Sequence, residues 1–317
     1  MVPDGHKKAT GRPSVAKALY RRWQKEIAAQ DDSRSLTELL DEWQGYRNSL
    51  GYSKQAGRNR RVLDSLIAWA KASDPDALTA SLLHAWTQYL HRLGDAPKTI
   101  KNKLGSVSGF LRWLEEQDVI DKRPVVSAPK VARKLPRYIL EKDYDQVLAK
   151  AEEIGCWLEV LIALKTGVRL SELRLLAWED MLFEQRVLVL PKTKSNRPRT
   201  IPLHSDLLDA LRPLAGEGAV FPGRRYSGCS GYREVHTFID RVRPLTKAFP
   251  QYFHKGLGQR ATGRAFHTFR HTFGVRAAKA GVPLPLLKEW MGHVDIATTM
   301  IYASFSPEKY SAEIERV

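Results

Sequence analysis

Between Asp121 and Arg137 the chain loses every hydrophobic period. The segment DKRPVVSAPKVARKLPR carries three prolines, and five basic residues precede its final arginine. Proline breaks a helix interior, removes a donor from a strand and pushes the residue before it toward extended conformations. Residues 121–137 therefore read as an extended basic linker, and each side of it must bury a core of its own. A chain of 317 residues has enough length for two such cores.

On the N-terminal side, four helical stripes follow one another between residues 32 and 120. Ser35-Leu36-Thr37-Glu38 forms a capping-box pattern, and Leu36, Leu39, Leu40, Trp43 and Leu50 then recur at helical spacing up to Gly51. A second helix runs from Ser53 to about Ser73 over Leu63, Leu66, Ile67 and Ala70. A third follows Thr79 with Leu83, Trp86, Tyr89 and Leu90 and stops at Gly94. The fourth, 98–118, has Ile100, Leu104, Val107, Leu111 and Leu114 inside. Basic residues gather at the helix beginnings: Lys54, Arg58, Arg60 and Arg61 on the second, Lys98, Lys101 and Lys103 on the fourth. Helix N-termini also present free N–H groups and positive dipole. Runs of this kind are most often solvated surface. Two such clusters on one small domain favour a DNA contact. Residues 1–31 read as a basic tail.

Charge points the same way. Fifty-one Lys and Arg oppose 35 Asp and Glu, a formal net charge of +16, and a field of that sign attracts polyanions, nucleic acid first. The two cysteines, Cys156 and Cys229, have no metal-ligand spacing and argue against a disulfide scaffold; Cys156 lies in an apolar run and reads as core. The first residues lack the apolar segment of a secretory signal, and no stretch approaches the roughly 20 apolar residues of a membrane span. The expected setting is cytoplasmic, with no membrane partner.

Beyond the linker the pattern is mainly helical: 141–153, 155–166, a short helix from Leu170, then 205–213, 231–244, 267–280, 283–291 and 295–303. Val187–Leu190 and Arg199–Leu203 read as a strand pair flanking the polar loop PKTKSNRP, with Pro202 marking an edge strand. The stretches 222–230 and 249–264 read as loops. Three segments carry chemistry. Arg169 follows a glycine break in TGVRLSEL, with Glu172 three residues on to orient it. His267 and Arg270 share a helix face in HTFRHTF. In GHVDIATTMIY, Gly292 ends one helix, His293 occupies the break, Asp295 caps the next helix and Tyr302 lies two turns along it. His267 and His271 also have the i, i+4 spacing of a zinc site, but the accompanying glutamate is Thr268 and Arg270 would repel a cation. No metal is expected.

Taken singly, each of these residues has a bland reading as an ion pair, a capping group or packing. Together they resemble the tyrosine recombinase (phage integrase) family, of the Xer/integrase type, in order and spacing throughout 138–317. The segment PKTIKNKLGSVSGFLRWLEE is similar to the last helix of that family's SAM-like core-binding domain, and APKVARKLPR to its linker. The resemblance implies a mainly α fold with a small β-hairpin or sheet. A SAM-like domain at 32–120 would precede the linker, 121–137, and the catalytic domain, 138–317. It implies Arg169 and Arg270 as a phosphate clamp, His267 as general acid/base, His293 as a donor to a phosphate oxygen and Tyr302 as nucleophile. The family's hairpin lysine falls on Lys194, with Lys192 as rival.

Attack on a phosphodiester adds negative charge at phosphorus, which fixed arginines stabilise. A tyrosine is a weak nucleophile at neutral pH, so His267 takes its proton or the clamp acidifies it. The leaving 5′-oxygen needs a proton, which a hairpin lysine supplies. The resemblance further implies a 3′-phosphotyrosine, no cofactor, double-stranded DNA as partner, a homotetramer on two DNA sites and an accessory or partner recombinase. A type IB topoisomerase-like enzyme and a catalytically silent DNA-binding protein on the same fold are the alternatives. A short helix at Glu308–Ile314 would dock on a neighbouring protomer.

Overall fold

The computed structural model describes residues 34–132, 135–191, 198–222, 235–253 and 264–305. The chain divides into two compact units, residues 1–133 and 134–317. The basic tail, Lys192, Lys194 and Glu308–Ile314 lie outside the described residues, as do most of the two stretches read as loops.

In the first unit, helices α1 (Leu36–Ser49), α2 (Ser53–Ala70), α3 (Ala80–Arg92) and α4 (Pro97–Glu116) enclose one core. Ser35 caps α1 as its sequence predicts: Glu38 N–H donates to Ser35 Oγ, and Glu38 Oε2 accepts from Ser35 N–H. Thr79 caps α3 through Leu82 N–H. The predicted stripes meet inside, with Leu39, Leu40, Leu63, Leu66, Leu83, Trp86, Val107 and Leu114 buried. Each such side chain contributes roughly 1.5–3 kcal/mol of burial free energy. Leu50 does not join them. It stands beyond the last turn of α1 and is exposed, because the helical phase that would turn it inward has already ended.

The second unit is built around two largely buried helices. Helices α5 (Glu141–Glu153), α6 (Trp157–Thr166) and α7 (Leu170–Leu173) come first. A small antiparallel sheet follows, in the order β1 (Met181–Leu182), β2 (Val187–Leu190), β3 (Arg199–Pro202). Val187 pairs with Pro202 and Leu188 with Ile201, so Pro202 does lie on an edge strand. β1 is an addition to the predicted pair; two residues are too few to show a period. Then come α8 (Ser205–Leu211), α9 (Val235–Ala248), α10 (Ala265–Lys279), α11 (Leu284–Met291) and α12 (Ile296–Thr299). α6 is buried on nearly all sides from Glu159 to Leu164 and packs along α10. A chain of edge-on aromatic rings, Phe221, Phe238, Phe266 and Phe269, extends this core. Cys156 is buried in it, and burial pushes its thiol up to about 11. Among the described residues no helix is long and apolar enough to cross a membrane.

The helix predicted over 295–303 changes character midway. It is α-helical only to Thr299 and tightens into a 3-10 helix over Met300–Phe305. That tightening carries Tyr302 into the protein, where it is 1% exposed.

Candidate active site

Glu172 lies at the centre of the polar cluster. It is buried, and each of its oxygens accepts two hydrogen bonds. Oε1 takes Arg169 Nη1 at 2.9 Å and Arg199 Nη1 at 2.8 Å; Oε2 takes the Arg169 amide at 2.8 Å and Arg199 Nη2 at 2.7 Å. All four lone-pair positions of the carboxylate are filled. Burial alone would raise its pKa. The hydrogen bonds and charge of Arg199, with the amide and charge of Arg169, outweigh it and bring the carboxyl down to about 2.

Three arginines then converge on the carboxyl end of α11. Arg199 Nε donates to Trp290 O at 2.9 Å, Arg270 Nη2 to Met291 O, and Arg169 Nη2 to Gly292 O at 2.6 Å. The last carbonyls of a helix have no partner within it and carry its negative dipole end. Three consecutive carbonyls there each take a guanidinium from a different element. Arg270 also donates to Gly167 O at 2.5 Å, and that carbonyl is available because Gly167 ends α6 in the left-handed conformation at φ 64°. The glycines at both helix breaks are crowded: a Cβ on Gly167 would stand 2.4 Å from Phe273 Cδ1, and one on Gly292 2.9 Å from Arg199 Nη1. Arg270 is itself buried; burial first, then the charges of Arg169 and Arg199, lower its pKa to about 9, which leaves it charged at neutral pH.

The imidazoles border this positive cluster. Half-buried His293 shares a 2.9 Å hydrogen bond between Nδ1 and Thr299 Oγ1. Burial, followed by Arg270, Arg169, His271 and Arg199, lowers its pKa to about 3, so the ring is neutral. Asp295 caps α12 by accepting from Ala297 N–H at 2.9 Å, and so sets the break in which His293 sits. His267 lies on the exposed side of α10 and makes no hydrogen bond among the described residues. Its pKa is lowered, by partial desolvation first and then by Arg270, Arg169 and Arg264.

The imidazole that touches Tyr302 is His271, at 2.8 Å from Nδ1 to Oη. Tyr302 lies flat on Gly274, where a Cβ would stand 2.5 Å from Cζ of the ring. Burial raises the phenol above its ordinary range, and Arg270 pulls it the other way. Beside the cluster, Arg199, Trp290, Gly292 and His293 line an open groove.

The structure thus gathers Arg169, Arg270, His293 and Tyr302 around one centre, with His267 at its outer edge. Sequence reasoning missed Arg199. An arginine opening an edge strand looks like any surface arginine, and only the fold brings it 2.7–2.8 Å from Glu172. Gly274 and Thr299 were equally silent, since small residues inside a helix give no signal until their neighbours are known.

In the first unit, Arg58, Lys101 and Lys103 line a shared groove with Arg47, Gln55 and Asn59. Lys54, Arg61 and Lys98 are exposed but do not line it. Lys103 is paired with Asp95 at 2.7 Å, and Arg60 is held by Asp41 and Asp64.

The model of the phage integrase family matches residues 137–309. The chain belongs to the phage integrase family. Tyrosine recombinase XerC of Xylella fastidiosa is 31% identical over 261 residues, covering 77% of this chain and 83% of that protein. XerC of Xanthomonas campestris pv. campestris is 30% identical over 261 residues, 77% of this chain and 76% of that protein. The integrase of transposon Tn1549, solved in complex with a circular intermediate DNA, superposes with a TM-score of 0.70 at 22% identity, over 90% of this chain and 100% of that one, which shows a common fold. This phage integrase family member is a tyrosine-type site-specific DNA recombinase.

Proposed function

We propose that the recombinase cleaves duplex DNA with Tyr302, whose Oη attacks the scissile phosphorus and displaces the 5′-oxygen to leave a 3′-phosphotyrosine. Arg169 and Arg270 hold the non-bridging oxygens, and neutral His293 donates a hydrogen bond to one of them. His267, at the outer edge, is the general acid/base near the tyrosine. Lys194 protonates the 5′-oxygen, with Lys192 as its rival. Attack by a 5′-hydroxyl on the phosphotyrosine reverses the step, so the bond energy is retained and no cofactor or metal is needed.

The observation that carries this reading is the arginine cluster on the end of α11. Its guanidiniums are fixed before substrate arrives, so little reorganisation opposes charge development at phosphorus. Removing one such donor typically costs about 10²–10³ in rate.

In this reading residues 32–120 form the core-binding domain, 121–137 the linker and 138–317 the catalytic domain. Lys54, Arg58, Arg61, Lys98, Lys101 and Lys103 contact the duplex, Arg58 and Lys101 most directly because they line the basic groove and carry no ion pair among the described residues. The active assembly is a homotetramer on two DNA sites, joined by an accessory or partner recombinase. It works in the cytoplasm, in integration, excision, inversion or resolution of a mobile element.

The test is incubation with sheared host DNA in EDTA, denaturation in SDS, and sequencing of the DNA that remains attached. Adducts at a recurrent site with wild type, absent with Tyr302→Phe although DNA binding persists, are expected. Adducts that survive Tyr302→Phe would sink the assignment of the nucleophile.

A further inference from the structure

We infer that His271 is an additional catalytic residue, which orients the Tyr302 hydroxyl and takes up its proton during attack. The inference rests on the proposed strand-cleavage reaction.

Of the two imidazoles in HTFRHTF, one touches the reacting oxygen. His271 Nδ1 lies 2.8 Å from Tyr302 Oη, while His267 faces outward. Helical geometry explains the difference. His271 and Gly274, three residues apart, share a face of α10. Gly274 leaves room for the phenol ring to lie directly on the helix. The ring's position then places the hydroxyl over His271. The contact is therefore enforced by packing at two points rather than by the hydrogen bond alone.

The chemistry follows from the hydrogen-bond direction. A phenol O–H donates to an imidazole nitrogen that carries no proton, so Nδ1 is the acceptor when the ring is neutral and its own proton sits on Nε2. Arg270 and His267 flank it on α10, Arg169 lies at the start of α7, Arg199 on β3 and His293 beyond α11, with Glu172 among them as the compensating carboxylate. Burial, then His267 and Arg270, lower the His271 pKa to about 4, so in the free protein the ring accepts a hydrogen bond but holds a proton poorly. A phosphodiester seated between Arg169 and Arg270 offsets that positive field and makes the imidazolium more favourable. The base thus strengthens when substrate is present.

The step balances. The bond from Oη to phosphorus forms as the bond from phosphorus to the 5′-oxygen breaks. The phenolic proton passes to Nδ1, and the 5′-oxygen takes a proton from the hairpin lysine. On rejoining, imidazolium at His271 returns its proton to the departing phenolate.

The decisive experiment measures single-turnover adduct formation against pH, using duplexes that carry the site recovered by adduct sequencing. His271→Asn places an amide oxygen where Nδ1 stood; it accepts the hydrogen bond but cannot take the proton. We expect a rate loss on the order of 10²–10⁴, loss of the acid limb of the pH profile, and unchanged DNA affinity and melting temperature. Adding imidazole should restore part of the rate to His271→Ala. A substrate with a 5′-thiolate leaving group, which needs no proton donor, should leave the defect of His271→Asn in place.

A His271→Asn enzyme with the wild-type rate and pH profile would overturn the inference. So would loss of the acid limb in His267→Asn but not in His271→Asn. If His271→Ala fails to fold, the asparagine variant still decides. If wild type itself forms no Tyr302 adduct, the cleavage reading falls and this inference falls with it.

Discussion

The two units hold their polar groups in opposite ways. In the first, polar and charged side chains pair on the surface with near neighbours: Arg60 with Asp64, Lys103 with Asp95, Ser35 with Glu38. Among its described residues the interior is hydrophobic apart from Asn59 and Thr87. In the second, Glu159, Glu172, Arg270 and several threonines are buried, and each of the charged groups has a partner far along the chain. Arg169 reaches Gly292, 123 residues away, and Arg270 reaches Gly167, 103 residues away. A surface pair contributes about 0–1 kcal/mol. A buried charge with a missing partner costs several times more. The first unit is therefore tolerant of single polar changes, and the second is not.

The sharpest way to break that contrast is Glu172→Gln. It keeps the shape but leaves Arg199 and Arg169 without their carboxylate, and should cost about 3–5 kcal/mol, read by thermal melting of the second unit, with adduct formation lost. A variant that melts like wild type would show that α11's carbonyls alone hold the arginines.

Gly274→Ala should come next. Its Cβ forces the Tyr302 ring off α10, at about 1–3 kcal/mol of overpacking and with a larger effect on cleavage than on stability. A crystal structure with Tyr302 still 2.8 Å from His271 would refute this.

Acid should separate the units too. His271 and His293 have folded pKa values depressed to about 4 and about 3. Unfolding then binds protons as pH falls below the ordinary histidine value, so stability present at neutral pH is lost progressively from about pH 6.5 down through those values. Glu172 adds to the loss below its ordinary carboxylate range. Chemical denaturation followed between neutral pH and pH 4 should weaken the second unit first; equal loss in both would contradict the assignment.

Ser35→Ala gives the smallest effect. It removes the cap of α1 and should cost about 1 kcal/mol without changing cleavage of a bound site.

Much of the first unit was legible because its signals are local. Ser35, Thr79 and the leucine stripes each act within a turn or two, and the helices lie where those residues put them. In the second unit Gly167, Gly292 and Asp295 likewise marked their breaks correctly. Leu50 failed because a period does not show where its helix stops. The helix carrying Tyr302 matches its sequence only partway: beyond Thr299 it tightens into a 3-10 turn whose tyrosine ring lies against Gly274, a tertiary contact that local propensity does not encode.

By itself the sequence determined the elements, the breaks between them, and the residue types that a phosphoryl-transfer site needs, since helical period, capping and glycine φ are properties of neighbouring residues. Tertiary structure alone decided which of two histidines meets Tyr302, that Arg199 shares Glu172, and that three guanidiniums close on three successive carbonyls of α11. Those pairings join positions from 21 to 123 residues apart, and no local pattern encodes which distant surfaces will be pressed together when the core is buried.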